Sequence, residues 1–162
     1  MLTDTAIVGH ISTEALAGLA VAAAILLTVF SMLIFLAYGT TGIVGRLLGS
    51  GQHREAATQG IQAVWLAIFS GAVVTVGVAI WSGALVDLFE PSALVRKEAL
   101  TYLRISLVGL VGQLIVMSGT GYLRGLQDTR TPLLVAIAGA LINLGLDLVL
   151  VFIFDLGIAG SA

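Results

Sequence analysis

The feature that most constrains this chain is the length of its uncharged stretches. No Asp, Glu, Lys or Arg occurs over 15–45, and none over 56–86. A bilayer crossing takes ~20 apolar residues of helix, because each adds ~1.5 Å and the hydrocarbon is ~30 Å thick. Both stretches exceed that, so each holds one tilted helix with interfacial turns. The apolar residues come in long blocks rather than at amphipathic spacing. Hydrophobic residues make up 59% of the chain and charged residues 10%, against roughly 25% charged in soluble domains. The pattern predicts an all-α polytopic membrane protein, embedded in lipid as a multi-pass protein of the cell membrane.

Four full spans are expected, over 15–45, 57–86, 102–123 and 131–154, with 1–10 reading as the end of a preceding helix. Tyr102 and Tyr122 bracket the third span, and Trp65 and Trp81 bracket the second, so all four are expected in the aromatic belts. The fourth span opens at Thr131-Pro132, read as a capping residue and a proline at the first helical position. The connections are short and polar. Two glycine clusters echo one another at helix exits: Gly39-Thr40-Thr41-Gly42 before Arg46, and Gly119-Thr120-Gly121 before Arg124. Arg46, Arg54, Arg124 and Arg130 flank loops on one side, against Arg96, Lys97 and Arg104 on the other. The arginine bias therefore places the first set in the cytoplasm. The N-terminus lacks the positive region of a signal peptide. Both ends read as cuts through a larger protein.

Several function classes fall away. With no cysteine, disulfides, thiolate metal sites and cysteine nucleophiles are absent. The net charge of -2 and the lack of a basic cluster argue against a nucleic-acid partner. Gly49-Ser50-Gly51 lacks the lysine and spacing of a phosphate-binding loop. His10 and His53 have no ligand partner at metal spacing, and no serine sits in a G-x-S-x-G elbow. Nothing here points to an enzyme or to a cofactor.

Asp147 stands apart. A carboxylate deep in a spanning helix costs a few kcal/mol on insertion scales. Asn143 lies one turn earlier on the same face, and Gly139, another turn back, opens that stripe to a neighbouring helix. An acidic and an amide oxygen on one stripe suit a small hard cation such as Na+, and suit an exchangeable proton equally. The alternative is that Asp147 only bonds across a helix interface or reaches the outer headgroups, since Asp155 is ~12 Å further along. Asp4 precedes the loop at His10 by ~9 Å of helix, and its helix runs parallel to that of Asp147. The two acids thus fall at similar depth. Two carboxylates at one depth repel, and shared protonation is how a proton-coupled carrier loads and releases its ion. Asp4 otherwise reads as a capping residue. Gln113, midway along the third span, either lines a cavity or bonds a neighbouring backbone.

These residues resemble a known family. Asp4-Thr5-Ala6-Ile7-Val8-Gly9-His10, followed by Glu14-Ala15-Leu16-Ala17, looks like the end of the first helix in multidrug and toxic compound extrusion (MATE) transporters, with the D-T-A-x-V-G-H form nearest the DinF-type branch. Leu123-Arg124-Gly125-Leu126-Gln127-Asp128-Thr129-Arg130-Thr131-Pro132 resembles the connection between that family's fourth and fifth helices. Asn143 through Asp147 falls where the family carries its fifth-helix asparagine and acid, and Gly157-Ile158-Ala159-Gly160 resembles the opening of a sixth helix.

The resemblance implies that 1–162 is a partial N-terminal transmembrane lobe. Its parent would be a twelve-helix secondary transporter of two six-helix lobes. That protein would export cationic or amphipathic drug-like compounds in exchange for H+ or Na+. Asp4, Asn143 and Asp147 would form its cation-coupling site, with no cofactor beyond the coupling ion. The chain departs from the family in lacking most of the first helix and everything from the sixth onward. Alternating access needs two halves, so the second lobe is an implied partner beside lipid and substrate. Two other readings stand beside it: a flippase of lipid-linked sugars from the same wider superfamily, and a non-transporting membrane subunit whose buried polar groups fix assembly.

Overall fold

The computed structural model describes residues 13–149. Among these, five helices follow one another and no strand occurs: α1 Thr13–Leu33, α2 Phe35–Gly49, α3 His53–Asp87, α4 Ala93–Gly125 and α5 Arg130–Leu148. The expected helix end at 1–10 and the tail 150–154 of the fourth span lie outside the described residues.

α1 and α2 form one membrane-length segment, Thr13–Gly49. Ile34, between them, keeps helical angles (φ -60°, ψ -22°), and its carbonyl accepts from Ala37 and Tyr38 at 3.1 and 3.3 Å. The interruption is one tightened turn within a single span. α3 has 35 residues and α4 has 33, so each reaches ~50 Å, well beyond the hydrocarbon. By length and composition three segments can cross a membrane, and α5 adds a shorter apolar helix, Arg130–Leu146.

α4 begins at Ala93, nine residues before the span expected from 102. Charged residues bound what lipid tolerates, but they do not end a helix outside the hydrocarbon. Arg96, Lys97 and Glu98 are good helix formers there. The connections are correspondingly tight. After α2, Gly51 takes φ +79°, Gln52 N–H donates to Leu47 O, and Gly51 N–H to Leu48 O, both at 2.9 Å. That is the double-bond helix stop that favours glycine. The same stop closes α4, where Asp128 N–H donates to Leu123 O and Gln127 N–H to Arg124 O. There Gln127 carries the positive φ, 63°.

The helices contribute to two compact units. Within the described residues one comprises 13–29, 76–108 and 139–149, and the other 30–75 and 109–138. In the first, α1 meets α4 at Gly18, where an added methyl would lie 2.7 Å from Glu98 Cβ and 2.9 Å from Ala99 N. Ala22, Val86, Ala99 and Leu103 are buried in this unit. Tyr102 is buried as well, with 4% of its surface exposed, so its ring packs in the core of this unit. Asp87 closes α3 and takes the Arg96 guanidinium in a two-pronged bond, Nε to Oδ1 and Nη2 to Oδ2. Both side chains stay half-exposed.

In the second unit the two glycine clusters touch. An added methyl at Gly121 would lie 2.5 Å from Ala37 O and 2.9 Å from Ala37 Cα, and one at Gly125 would lie 2.7 Å from Val44 Cβ. This approach lets the Thr41 hydroxyl sit 2.9 Å from Ala37 O and 2.8 Å from Gly121 O, sharing its proton between helices. Backbones that close need residues without side chains. α3 packs on α4 in the same way: the Tyr122 ring lies over Gly60, and Leu114 with Val111 over Gly71. Tyr122 is thus half-buried against a helix, while Trp65 and Trp81 are the exposed pair, at 68% and 63%.

Candidate functional site

α5 carries the expected site, and a loop carboxylate fixes where it starts. Asp128 Oδ1 accepts from the N–H groups of Arg130 and Thr131 at 3.0 Å each, and Oδ2 from the Thr131 hydroxyl. Asp128 is therefore the capping residue, two positions ahead of the helix, and the role expected of Thr131 passes to it. The Thr131 hydroxyl, then the Thr131 and Arg130 amides and the Arg130 charge, hold its carboxyl below the usual carboxylate range. Negative charge at this end also suits the helix dipole.

From that start α5 runs through Asn143 and Asp147, one turn apart and hence on one face. Asn143 is exposed. The side chain of Asp147, and the whole of Asp4, lie outside the described residues. A methyl added at Gly139 would meet nothing within 4 Å, so the stripe is open to close approach at that turn. Leu133, Leu134, Ile137, Leu141 and Ile142 are all exposed, and they point to different sides of the helix. Gln113 is exposed on α4, in the second unit, whereas Asn143 belongs to the first. No group of three His, Cys, Asp or Glu that could hold a metal occurs among the described residues. An amide and a carboxylate oxygen on one face can still contribute to an oxygen cage for a hard cation, or pass a proton.

Other polar groups were not singled out in the sequence. Thr40, Gln59 and Gln62 line a groove of about 310 Å³ between α2 and α3 in the second unit. Gln59 and Gln62, three residues apart in the first turns of α3, were the available signal. Ser82 and Ser118 are buried, and Ser82 donates to Ala79 O.

A fold of membrane-length helices ending in a helix with an internal acid can be set beside known proteins. The profile of the MatE family matches residues 1–149. The chain belongs to the MatE family. Among curated relatives of this MatE chain, the probable multidrug resistance protein NorM of Thermotoga maritima is 29% identical, covering 99% of this chain and 36% of that protein. DNA damage-inducible protein F of Escherichia coli is also 29% identical, covering 99% of this chain and 35% of its own length. A crystal structure of MATE in the bent conformation superposes with a TM-score of 0.95 at 22% identity, over 99% of this chain and 36% of that one. The outward-facing conformation of a multidrug resistance MATE family transporter gives 0.92 at 21%, with the same coverage. The solved structures share this chain's all-helical fold, and the chain spans about a third of the length of the relatives it matches. The MatE chain is a multi-pass membrane protein related to transporters rather than enzymes.

Proposed function

We propose that this MatE chain supplies N-terminal-lobe helices to a secondary antiporter that exports cationic or amphipathic drug-like compounds in exchange for H+ or Na+. The observation that carries the reading is the pairing of Asn143 with Asp147 on one face of α5, inside an apolar helix of a chain matched by the MatE profile. An ionisable residue at that depth is costly to insert, and its usual return is an ion or proton pathway. Asn143 supplies an oxygen beside the carboxylate, and Asp4 supplies the second acid of the site. Gln113 lines the substrate path. Protonation or Na+ binding neutralises the acid and permits one lobe to rock against the other, and loss of the ion frees the acid for the next cycle. The names of relatives support the drug-export part: two are multidrug resistance proteins or transporters by description.

The test is efflux by the complete protein in a drug-sensitive host. Cation-dependent efflux of a cationic dye is expected from the wild type and is lost in Asp147→Asn and Asp4→Asn. Efflux that survives both substitutions refutes ion coupling at this site. A complete protein that exports no dye but alters lipid-linked sugar export is a flippase instead.

A further inference from the structure

The groove between α2 and α3 has the polarity gradient of a single phospholipid. Phe35, Gly39 and Ile43 form one wall, Gln59, Gln62 and Leu66 the other. Phe35 and Leu66 lie further from the α2–α3 turn than Ile43 and Gln59, so the wall is apolar on the far side and amide-bearing on the near side. Phe35, Ile43 and Leu66 remain exposed, at 54%, 38% and 49%. Thr40 in the floor is buried and donates its hydroxyl to Leu36 O, which leaves the floor without a free donor. Helix contacts elsewhere in this unit close on glycines, at Gly60, Gly121 and Gly125. Here large side chains hold the rim apart instead.

Helical register continues both walls to the turn. Gly39, Ile43 and Arg46 recur at four and three residues on α2, and Glu55, Gln59 and Gln62 at four and three on α3. By this register Arg46 and Glu55, one cation and one carboxylate, fall one turn beyond the lining residues Ile43 and Gln59, toward the α2–α3 turn. Both are exposed. Among the described residues an ion pair joins Arg96 to Asp87 and none joins Arg46 to Glu55. Arg54 precedes Glu55 and is turned about 100° away from this face.

We propose that this groove is a phosphatidylethanolamine site. Arg46 takes the phosphodiester, as guanidinium does in planar two-bond geometry. Glu55 takes the primary ammonium, Gln59 and Gln62 meet the glycerol ester carbonyls, and one acyl chain lies between Ile43, Phe35 and Leu66. Opposite charges across the mouth distinguish this headgroup from that of phosphatidylglycerol, whose neutral glycerol offers Glu55 no cation. The N–H donors of the ammonium distinguish it from phosphatidylcholine, whose quaternary nitrogen cannot donate to Glu55.

The test uses the complete protein, delipidated in detergent and exposed to an equimolar mixture of dioleoyl phosphatidylethanolamine, phosphatidylcholine and phosphatidylglycerol, with bound lipid read by native mass spectrometry. The wild type is expected to retain phosphatidylethanolamine over the other two by about tenfold, the worth of one charge-assisted hydrogen bond. Glu55→Ala, which removes the acceptor as well as the charge, erases the advantage over phosphatidylcholine, and Arg46→Gln weakens all three. Ile43→Trp removes the retained lipid while circular dichroism still reports the helical fold. Arg54→Gln changes nothing. Equal retention of the three lipids, a preference for phosphatidylglycerol, or no retained lipid because another part of the protein fills the groove would each overturn the proposal.

Discussion

Helices α3 and α5 are both apolar along most of their length, yet only α3 has a packed face. On α3, Ala56, Gly60, Ala63, Ala67 and Gly71 recur at three and four residues and are all buried, and side chains of α4 lie on two of those glycines. On α5, Gly139 and Gly145 look out onto open space, and large aliphatic residues are exposed on successive sides. Apolarity reports that a helix can sit in lipid. Small residues at helical spacing report a neighbour only where the neighbour is there to be touched. α5 is thus exposed on every side that the structure describes, the exposed Asn143 included.

The comparison breaks most visibly at its tightest contact. Gly121→Val drives a branched side chain into the Ala37 backbone, which cannot move as a flexible side chain could, and is expected to cost about 3 kcal/mol in an unfolding titration. A variant as stable as the parent would mean that α2 and α4 do not approach this closely. Gly60→Ala is milder, about 1–2 kcal/mol, because the obstructing atoms belong to the Tyr122 ring. Adding Tyr122→Leu should recover most of that loss in a double-mutant cycle; strict additivity would deny the contact. Gly139→Ala is the counterpart on α5. In the 162-residue chain it is expected to be neutral or to stabilise by up to about 1 kcal/mol through helix propensity. A cost that arises only in the longer protein would place the partner of α5 outside this chain.

Much of this was legible in the sequence, for physical reasons that also explain the misses. The uncharged stretches at 15–45 and 56–86 mark α1–α2 and α3 because lipid excludes charge. The same rule misplaced the start of α4, since water at the membrane surface tolerates Arg96 and Lys97 in a helix. Tyr102 fits a belt by position and its ring packs in the core of its unit, and sequence position carries no information about which neighbour covers a ring. The two glycine clusters were visible as an echo, yet only coordinates show that Thr41 and Gly121 meet. Asn143 and Asp147 stand out in the sequence because polar groups are costly in an apolar helix, and their role in coupling is the proposal made above. The α2–α3 groove does not stand out, because Gln59 and Gln62 read as ordinary near-surface residues until α2 is set beside them.

The smallest expected effect concerns how α5 is started. The bonds from Arg130 and Thr131 to Asp128 need its carboxylate, whose folded pKa is lowered. Their contribution is complete above the ordinary Asp value of ~3.9 and is lost as pH falls through the lowered folded value. Hydrogen exchange at the Arg130 and Thr131 amides, corrected for intrinsic rates, should thus lose protection only in strong acid. Asp128→Asn should keep a cap and lose the pH dependence. Protection that is already lost near pH 6 would contradict the capping role.

The central claim, that the open stripe of α5 couples an ion to transport, is tested most directly by counterflow in proteoliposomes of the complete protein. A gradient of a cationic dye is imposed with no ion gradient, and internal pH and Na+ are recorded. The account predicts that dye movement drives H+ or Na+ the other way in the wild type, and that Asp147→Asn abolishes the ion flux. Ion flux in Asp147→Asn equal to that of the wild type would contradict it.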